Sequence, residues 1–352
     1  MFDDEREINE LGISELVVSV PYMLGFFPQD VVIVIPCRES YPLHLNLAVR
    51  MDLSDLLSAA VRPEQLLSAV TGRGWDLVVL LVVGGGCRPD RDGLPHRSLV
   101  ARFSELLVQR GIAVACSLWV PEIREGIEWI RYCDIPVATG RLGDPRVCQM
   151  AALAVTEGRV TYDRVQDFLD AFKPDDEVAL DRRLALLAHL DMPRQASTDP
   201  STEAFYASMD LVDNAVQAAG QGTLPNDDPD IVGLATALAD PLVWTTSVRF
   251  AYTKDWLAAV QLWLHLTRSL PDRHRVESAA LLAITAGLNG ETELARLAAR
   301  HATEADSDRE IVTCFVDPLQ YGVFPSWMSG VLRYLAKKAI KHVLESVGEL
   351  TD

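Results

Sequence analysis

Five residues, Gly84, Gly85, Gly86, Cys87 and Arg88, follow directly on an uninterrupted apolar run, Leu77 to Val83. In open α/β sheets ligands bind at the ends of buried strands, and glycines let a backbone come close to an anion. The run reads in two ways, as a cradle for a small molecule or nucleotide or as a plain exit turn. It matches neither phosphate fingerprint: Pro89 stands where the last glycine of G-x-G-x-x-G belongs, and no Gly-Lys-Ser/Thr follows. Cys37 also ends an apolar run, so parallel neighbouring strands would bring Cys37 and Cys87 to one rim of a sheet, with Arg38 and Arg88 lowering their pKa. The alternative is that both are small buried filler. A cysteine nucleophile needs a base, and His96 is the histidine nearest Cys87 in sequence.

Asp30, Asp52 and Asp76 flank expected strands, where carboxylates serve either a magnesium ion or the capping of turns. No transition-metal pattern supports a metal centre: the seven histidines form no HExxH or HxH, and the six cysteines no CxxC. Free thiols and no cofactor are expected. A different chemistry sits near the C-terminus. Arg333, Lys337 and Lys341 recur every four residues, with Lys338 beside them, and three of the five lysines in the chain lie here. Like charges four apart on a helix repel, so this row faces its own acidic surface, plain solvent, or an acidic patch on a second copy or another protein.

The elements that must position these groups can be read from apolar periodicity. Val31 to Ile35 and Leu77 to Val83 are continuous runs, the pattern of strands buried on both faces, and Leu43 to Val49 alternates. A helix from Pro63 to Ala69, a second from His96 to Gln109 and a strand from Ile112 to Trp119 complete a strand–helix–strand crossover. The expected fold is α/β, with α+β as the alternative: a small, mostly parallel sheet covered by helices over residues 1–145. Pro21 to Asp30, with Gly25 between two prolines, is expected to form a rigid turn into the first strand, anchored by Tyr22, Phe26 and Phe27.

Beyond Asp144-Pro145 strand signals fade, and residues 146–352 are expected to be helical, with polar loops at 191–202 and 220–230. Ala283, Ala295 and Ala302 around Asn289-Gly290 suggest a helical hairpin, generic or of tetratricopeptide type, with no second copy 34 residues away to support an array. From Val331 to Val347 a closing helix would set Leu332, Ala336, Ile340 and Leu344 against the core and turn the basic row outward.

The chain has 352 residues, 49% hydrophobic and 23% charged, with a net charge of −18. That composition is globular, and its sign disfavours non-specific binding to nucleic acid or an anionic membrane. The acidic start has no apolar signal region, and no run approaches a membrane span. Cytoplasm is the expected compartment.

The opening Glu15-Leu-Val-Val-Ser-Val-Pro-Tyr-Met-Leu-Gly-Phe-Phe-Pro-Gln-Asp30, running into a buried strand, resembles the start of the actinobacterial domain-of-unknown-function family 4192. The Ala280 to Ala302 hairpin and Asp317-Pro-Leu-Gln-Tyr-Gly-Val-Phe-Pro-Ser-Trp327 are similar to that family's closing helices. The segment matching Trp129-Ile-Arg-Tyr-Cys133 lacks the further cysteines the resemblance would imply. The resemblance implies a fold unit and a host lineage, and no chemistry. The residues themselves point to a non-catalytic interaction or regulatory protein acting through its helical part with a protein partner or a second copy. The alternative is a small-molecule or nucleotide-handling enzyme with its pocket at Gly84 to Arg88.

Overall fold

The structure, a computed structural model, describes residues 10–37, 48–58, 75, 77–86, 93–132, 138–190, 202–321 and 326–348. It divides into two compact units, Met1–Phe168 with Gly290–Glu293, and Leu169–Asn289 with Leu294–Asp352. The class is mixed α/β, with a sheet in the N-terminal part and a mostly helical C-terminal part.

The first unit is built on six strands: β1 (Val31–Cys37), β2 (Val49–Asp52), β3 (Leu77–Val83), β4 (Ala113–Val120), β5 (Glu128–Arg131) and β6 (Thr139–Arg141). Their order is β2-β1-β3-β4-β5-β6. Strand direction departs from the mostly parallel expectation. Among the described strands only β3 and β4 pair in parallel, joined by the expected crossover through α3 (Arg97–Gln109), whereas β1 runs antiparallel to both β2 and β3. Continuous apolar runs report burial on both faces and not direction, which is why β1 read as parallel. Both faces of β1 and β3 are indeed covered. Val32, Val34, Val78, Leu80 and Val82 join Val100, Phe103 and Leu107 of α3 in one core, and the alternate Val31, Ile33, Val79, Leu81 and Val83 are equally buried. The expected helix 63–69 and most of the alternating 43–49 segment lie outside the described residues.

Helix α1 (Glu10–Leu24) runs past Pro21, so the first four residues of the expected Pro21 to Asp30 turn are helical. Proline removes one helical hydrogen bond, but Ile13, Leu16, Val17, Val20 and Leu24 stay buried across it, and that burial outweighs the lost bond. Gly25, at φ +83°, ends the helix with its amide on the Pro21 carbonyl. Phe26 then bridges to Tyr162 and packs on Phe168. The other described α-helices here are two short ones, α2 (Leu53–Leu57) and α4 (Gln149–Glu157), and the one-and-a-half-turn α5 (Val165–Asp170), which begins in this unit. Gly290–Glu293 adds two carboxylates to it. Glu293, 2% exposed, lies 3.4 Å from Arg50, which is 10% exposed, forks onto Asp52 and sits over the Phe26 ring. Glu291 pairs with Arg159 at 2.8 Å.

The second unit is helical: α6 (Glu177–Leu190), α7 (Thr202–Gly220), α8 (Asp228–Leu238), α9 (Pro241–Ser247), α10 (Trp256–Ser269), α11 (Val276–Leu288), α12 (Thr292–Ala305) and α13 (Ser326–Gly348). Every residue from Val276 to Ala286 is buried, so α11 is the central helix of the bundle. Its closest neighbour is α10, whose Ala259, Leu262, Trp263 and Leu266 are buried. The expected close pairing of α11 with α12 across Asn289-Gly290 is looser, although Ala283, Ala295 and Ala302 are all buried as small-residue positions. The alanines of α11 serve the approach of α10. Buried Arg183 ties three segments by donating to Asp175, Asp228 and the Ser269 carbonyl. Among the described residues no single helix is long and apolar enough to cross a membrane.

Candidate functional site

At the C-terminal end of β3 the chain turns through Gly84, Gly85 and Gly86, all at positive φ. The peptide groups of the first two are fully engaged. Gly84 donates to the Val120 carbonyl and accepts from Trp119 Nε1; Gly85 donates to Asp30 Oδ1 at 2.7 Å and its carbonyl meets His96 Nε2 at 2.7 Å. A carbonyl only accepts, so His96 carries its proton on Nε2 in this contact. Asp30 and His96 are the only non-glycine residues at positive φ among the described residues, and both close on this one glycine. A Cβ on Gly85 would stand 2.4 Å from His96 Nε2 and 2.6 Å from Leu53 Cδ1. Tyr132 braces the same corner: its hydroxyl donates to the Pro95 carbonyl and its own carbonyl accepts from Arg97. Burial pushes the Tyr132 hydroxyl far up, so it stays a donor across the physiological range.

The glycines therefore form a locked turn whose inner hydrogen-bonding groups face protein, and not an open row of amides waiting for an anion. Cys87 and Arg88 lie outside the described residues. Cys37 does not share this rim. Because β1 is antiparallel to β3, Cys37 pairs with Leu77 and Val31 pairs with Val83, so the length of a seven-residue strand, roughly 20 Å, separates Cys37 from the turn. Its side chain lies outside the described residues. His96, the candidate base, is engaged by Gly85, and Asp52 by Arg50. Asp76 lies outside the described residues, among which no group of three metal-ligating side chains gathers. Cys148 is buried, caps α4 through Ala151 N and has its thiol pushed up by burial, which makes it a packing group.

A cleft of about 390 Å³ in the same unit runs along Phe27, Pro28 and Gln29, the end of the opening motif. Among its charged side chains Glu122 pairs with Arg124 at 2.6 Å, and Asp144 caps the Arg146 amide at 2.9 Å.

In the helical unit a larger cleft, about 760 Å³, opens between α13 and the turn after α9. Three cations line it, Arg249, Arg333 and Lys337, and no carboxylate does. Arg249 is held from outside by Asp213. Neither Arg333 nor Lys337 has a carboxylate partner among the described residues. The Arg333 guanidinium lies over the Tyr252 ring at 4.8 Å, and the Tyr252 hydroxyl donates to the Ser329 carbonyl, which anchors that ring on α13. Burial raises the Tyr252 pKa, against the lowering effect of Arg333. Asn289 Nδ2 donates to Ala251 and Thr285, which fixes its amide at the cleft wall.

Two of the four residues in the basic row thus meet in a cavity. Lys338 is exposed on another face of the helix, and the side chain of Lys341 lies outside the described residues. The expected inner stripe holds where it is described, with Leu332 and Ala336 buried. Arg249, Tyr252 and Asn289 were not legible as site residues, because the turn after α9 supplies the first two, the end of α11 the third, and no spacing links either segment to α13. A second feature had a readable signal. Trp327, Val331, Tyr334 and Lys338 follow the i, i+4, i+7, i+11 rhythm of one helix face, and that face is exposed, at 52%, 39% and 63% for the three large residues.

The chain belongs to the family described as a domain of unknown function (DUF4192), whose model matches residues 14–326. No curated protein and no solved structure matches it.

Proposed function

We propose that this protein is a non-catalytic interaction or regulatory protein whose helical unit receives an anionic group of its partner in the cleft of Arg249, Arg333 and Lys337. The observation that carries the reading is the convergence on one cavity of Arg333 and Lys337, neither paired with a carboxylate among the described residues, beside Arg249, whose partner Asp213 lies outside the lining, in a chain whose net charge is −18. In a cleft with low-dielectric walls such a cluster focuses positive potential, and an incoming anion relieves its self-repulsion. The locked turn at Gly84–Gly86 supports the same choice from the other side. A catalytic centre needs a nucleophile or base free to meet substrate, and there Asp30 and His96 are engaged in holding the backbone. The overall acidity favours a protein or small-molecule anion over nucleic acid, whose phosphates the rest of the surface repels.

The test uses fluorescein-labelled octaglutamate as the anionic probe, titrated by anisotropy at low salt. Wild type should bind with an affinity that falls steeply with salt, and Arg333→Ala with Lys337→Ala should weaken it about tenfold. Both changes are at exposed positions, so thermal stability serves as the folding control. Equal binding by wild type and the double variant would overturn the reading.

A further inference from the structure

We infer that the partner is an acidic amphipathic helix, docked along the exposed face of α13 with its carboxylates reaching the cleft. The inference rests on the reading above and adds the apolar half of the interface. Around α13 the described residues divide into three sectors. Met328, Leu332 and Ala336 are buried; Arg333 and Lys337 face the cleft; Trp327, Val331 and Tyr334 form an exposed stripe that Lys338 extends. At 100° per residue Lys337 lies about 60° from Tyr334, so the basic and aromatic sectors are adjacent on one open surface. Gly330 falls between them, and a Cβ there would meet nothing within 4 Å.

A small anion would use the cleft and leave the stripe in water. An aromatic stripe at i, i+4, i+7 is the pattern by which one helix reads the apolar face of another, and tryptophan and tyrosine are the residues that carry such contacts. Charge selects the occupant. Every described charged side chain on this exposed surface from Trp327 to Lys338 is a cation, so the complementary segment carries leucine-type anchors flanked by Asp or Glu. A second copy meeting α13 to α13 would oppose cation to cation, which disfavours that pairing.

Three labelled probes separate the outcomes: a twenty-residue peptide with leucines on one helical face and glutamates on the other, a scrambled peptide of the same composition, and octaglutamate. The ordered peptide should bind at least tenfold more tightly than the scrambled one. Trp327→Ala with Tyr334→Ala should remove that advantage and leave octaglutamate binding unchanged. Arg333→Ala with Lys337→Ala should weaken all three. If the aromatic changes leave the ordered peptide's affinity untouched, the helix proposal fails while the anion cleft stands. If instead they alter the sedimentation of the protein alone, the stripe joins copies of this chain and the proposal is overturned. Unchanged binding of all three probes by the cation variant is the separate failure of the cleft reading.

Discussion

Asp30 and His96 hold the same residue from opposite sides: the Asp30 carboxylate takes the Gly85 amide and the His96 ring takes the Gly85 carbonyl, each at 2.7 Å. Both do so from positive φ, at 51° and 57°. A non-glycine residue there stores of order 1 to 3 kcal/mol of strain, which persists only when surrounding bonds over-determine it. Gly84 and Gly85 are thus the keystone of the strand ends.

That arrangement orders a set of substitutions. Asp30→Asn keeps an acceptor and tolerates positive φ, so it should be the mildest. Asp30→Ala loses both and hands the Gly85 amide to solvent, at a cost of about 1 kcal/mol. Gly85→Ala should be the worst, because its Cβ collides with His96 and Leu53 in a backbone conformation alanine avoids. Urea midpoints with unchanged slopes check the order; an Asp30→Ala protein as stable as wild type would show that the clamp contributes nothing.

Glu293 and Arg50 make a second, independent prediction. Both are almost fully buried, and removing Glu293 leaves Arg50 with Asp52 as its carboxylate. Glu293→Ala should therefore destabilise the protein by about 1 to 2 kcal/mol, and calorimetry or denaturant unfolding measures it. A change below about 0.5 kcal/mol would mean that Asp52 alone suffices to answer Arg50.

The helical unit should lose stability in acid in two separable steps. Burial holds His265 and His301 below the usual histidine range, with His265 donating to the Pro225 carbonyl and His301 stacked on Phe172. A lowered histidine is neutral when folded, so its contribution is full above about 6.5 and is lost as pH falls from there through the folded value. Asp175 acts lower. Burial raises it, but bonds from Arg183 and Ser269 and the nearby guanidinium charges outweigh that and hold it below the ordinary carboxylate value. Its contribution is present above the unfolded value near 3.9 and disappears as pH falls through the folded one. Melting temperatures from pH 8 to 3 should show both steps. Asp175→Asn should flatten the lower one alone, and an unchanged lower step would remove Asp175 from the account.

Much of the fold was legible because burial writes itself into periodicity. Leu77–Val83 could only be a strand covered on both faces, and the apolar stripe of Arg97–Gln109 required a helix lying on it. Direction was not legible, since an antiparallel strand buried on both faces has the same apolar run as a parallel one; that alone separated Cys37 from Gly84. The glycines were conspicuous, yet their partners Asp30, His96 and Trp119 come from three distant places in the chain. The basic row on α13 was visible as spacing. Its meeting with Arg249 and Tyr252 was not, because side chains from separate helices leave no joint pattern in sequence.

The central claim, that binding occurs at the cleft and face of α13, is tested most directly by hydrogen–deuterium exchange of the full chain with and without the leucine–glutamate peptide at saturation. The account predicts slowed exchange in peptides covering residues 249–253 and 326–338, with 84–86 and 96–100 unchanged. Protection appearing at Gly84–Gly86 and His96 instead, with 326–338 unaltered, would contradict it and return the function to the strand ends.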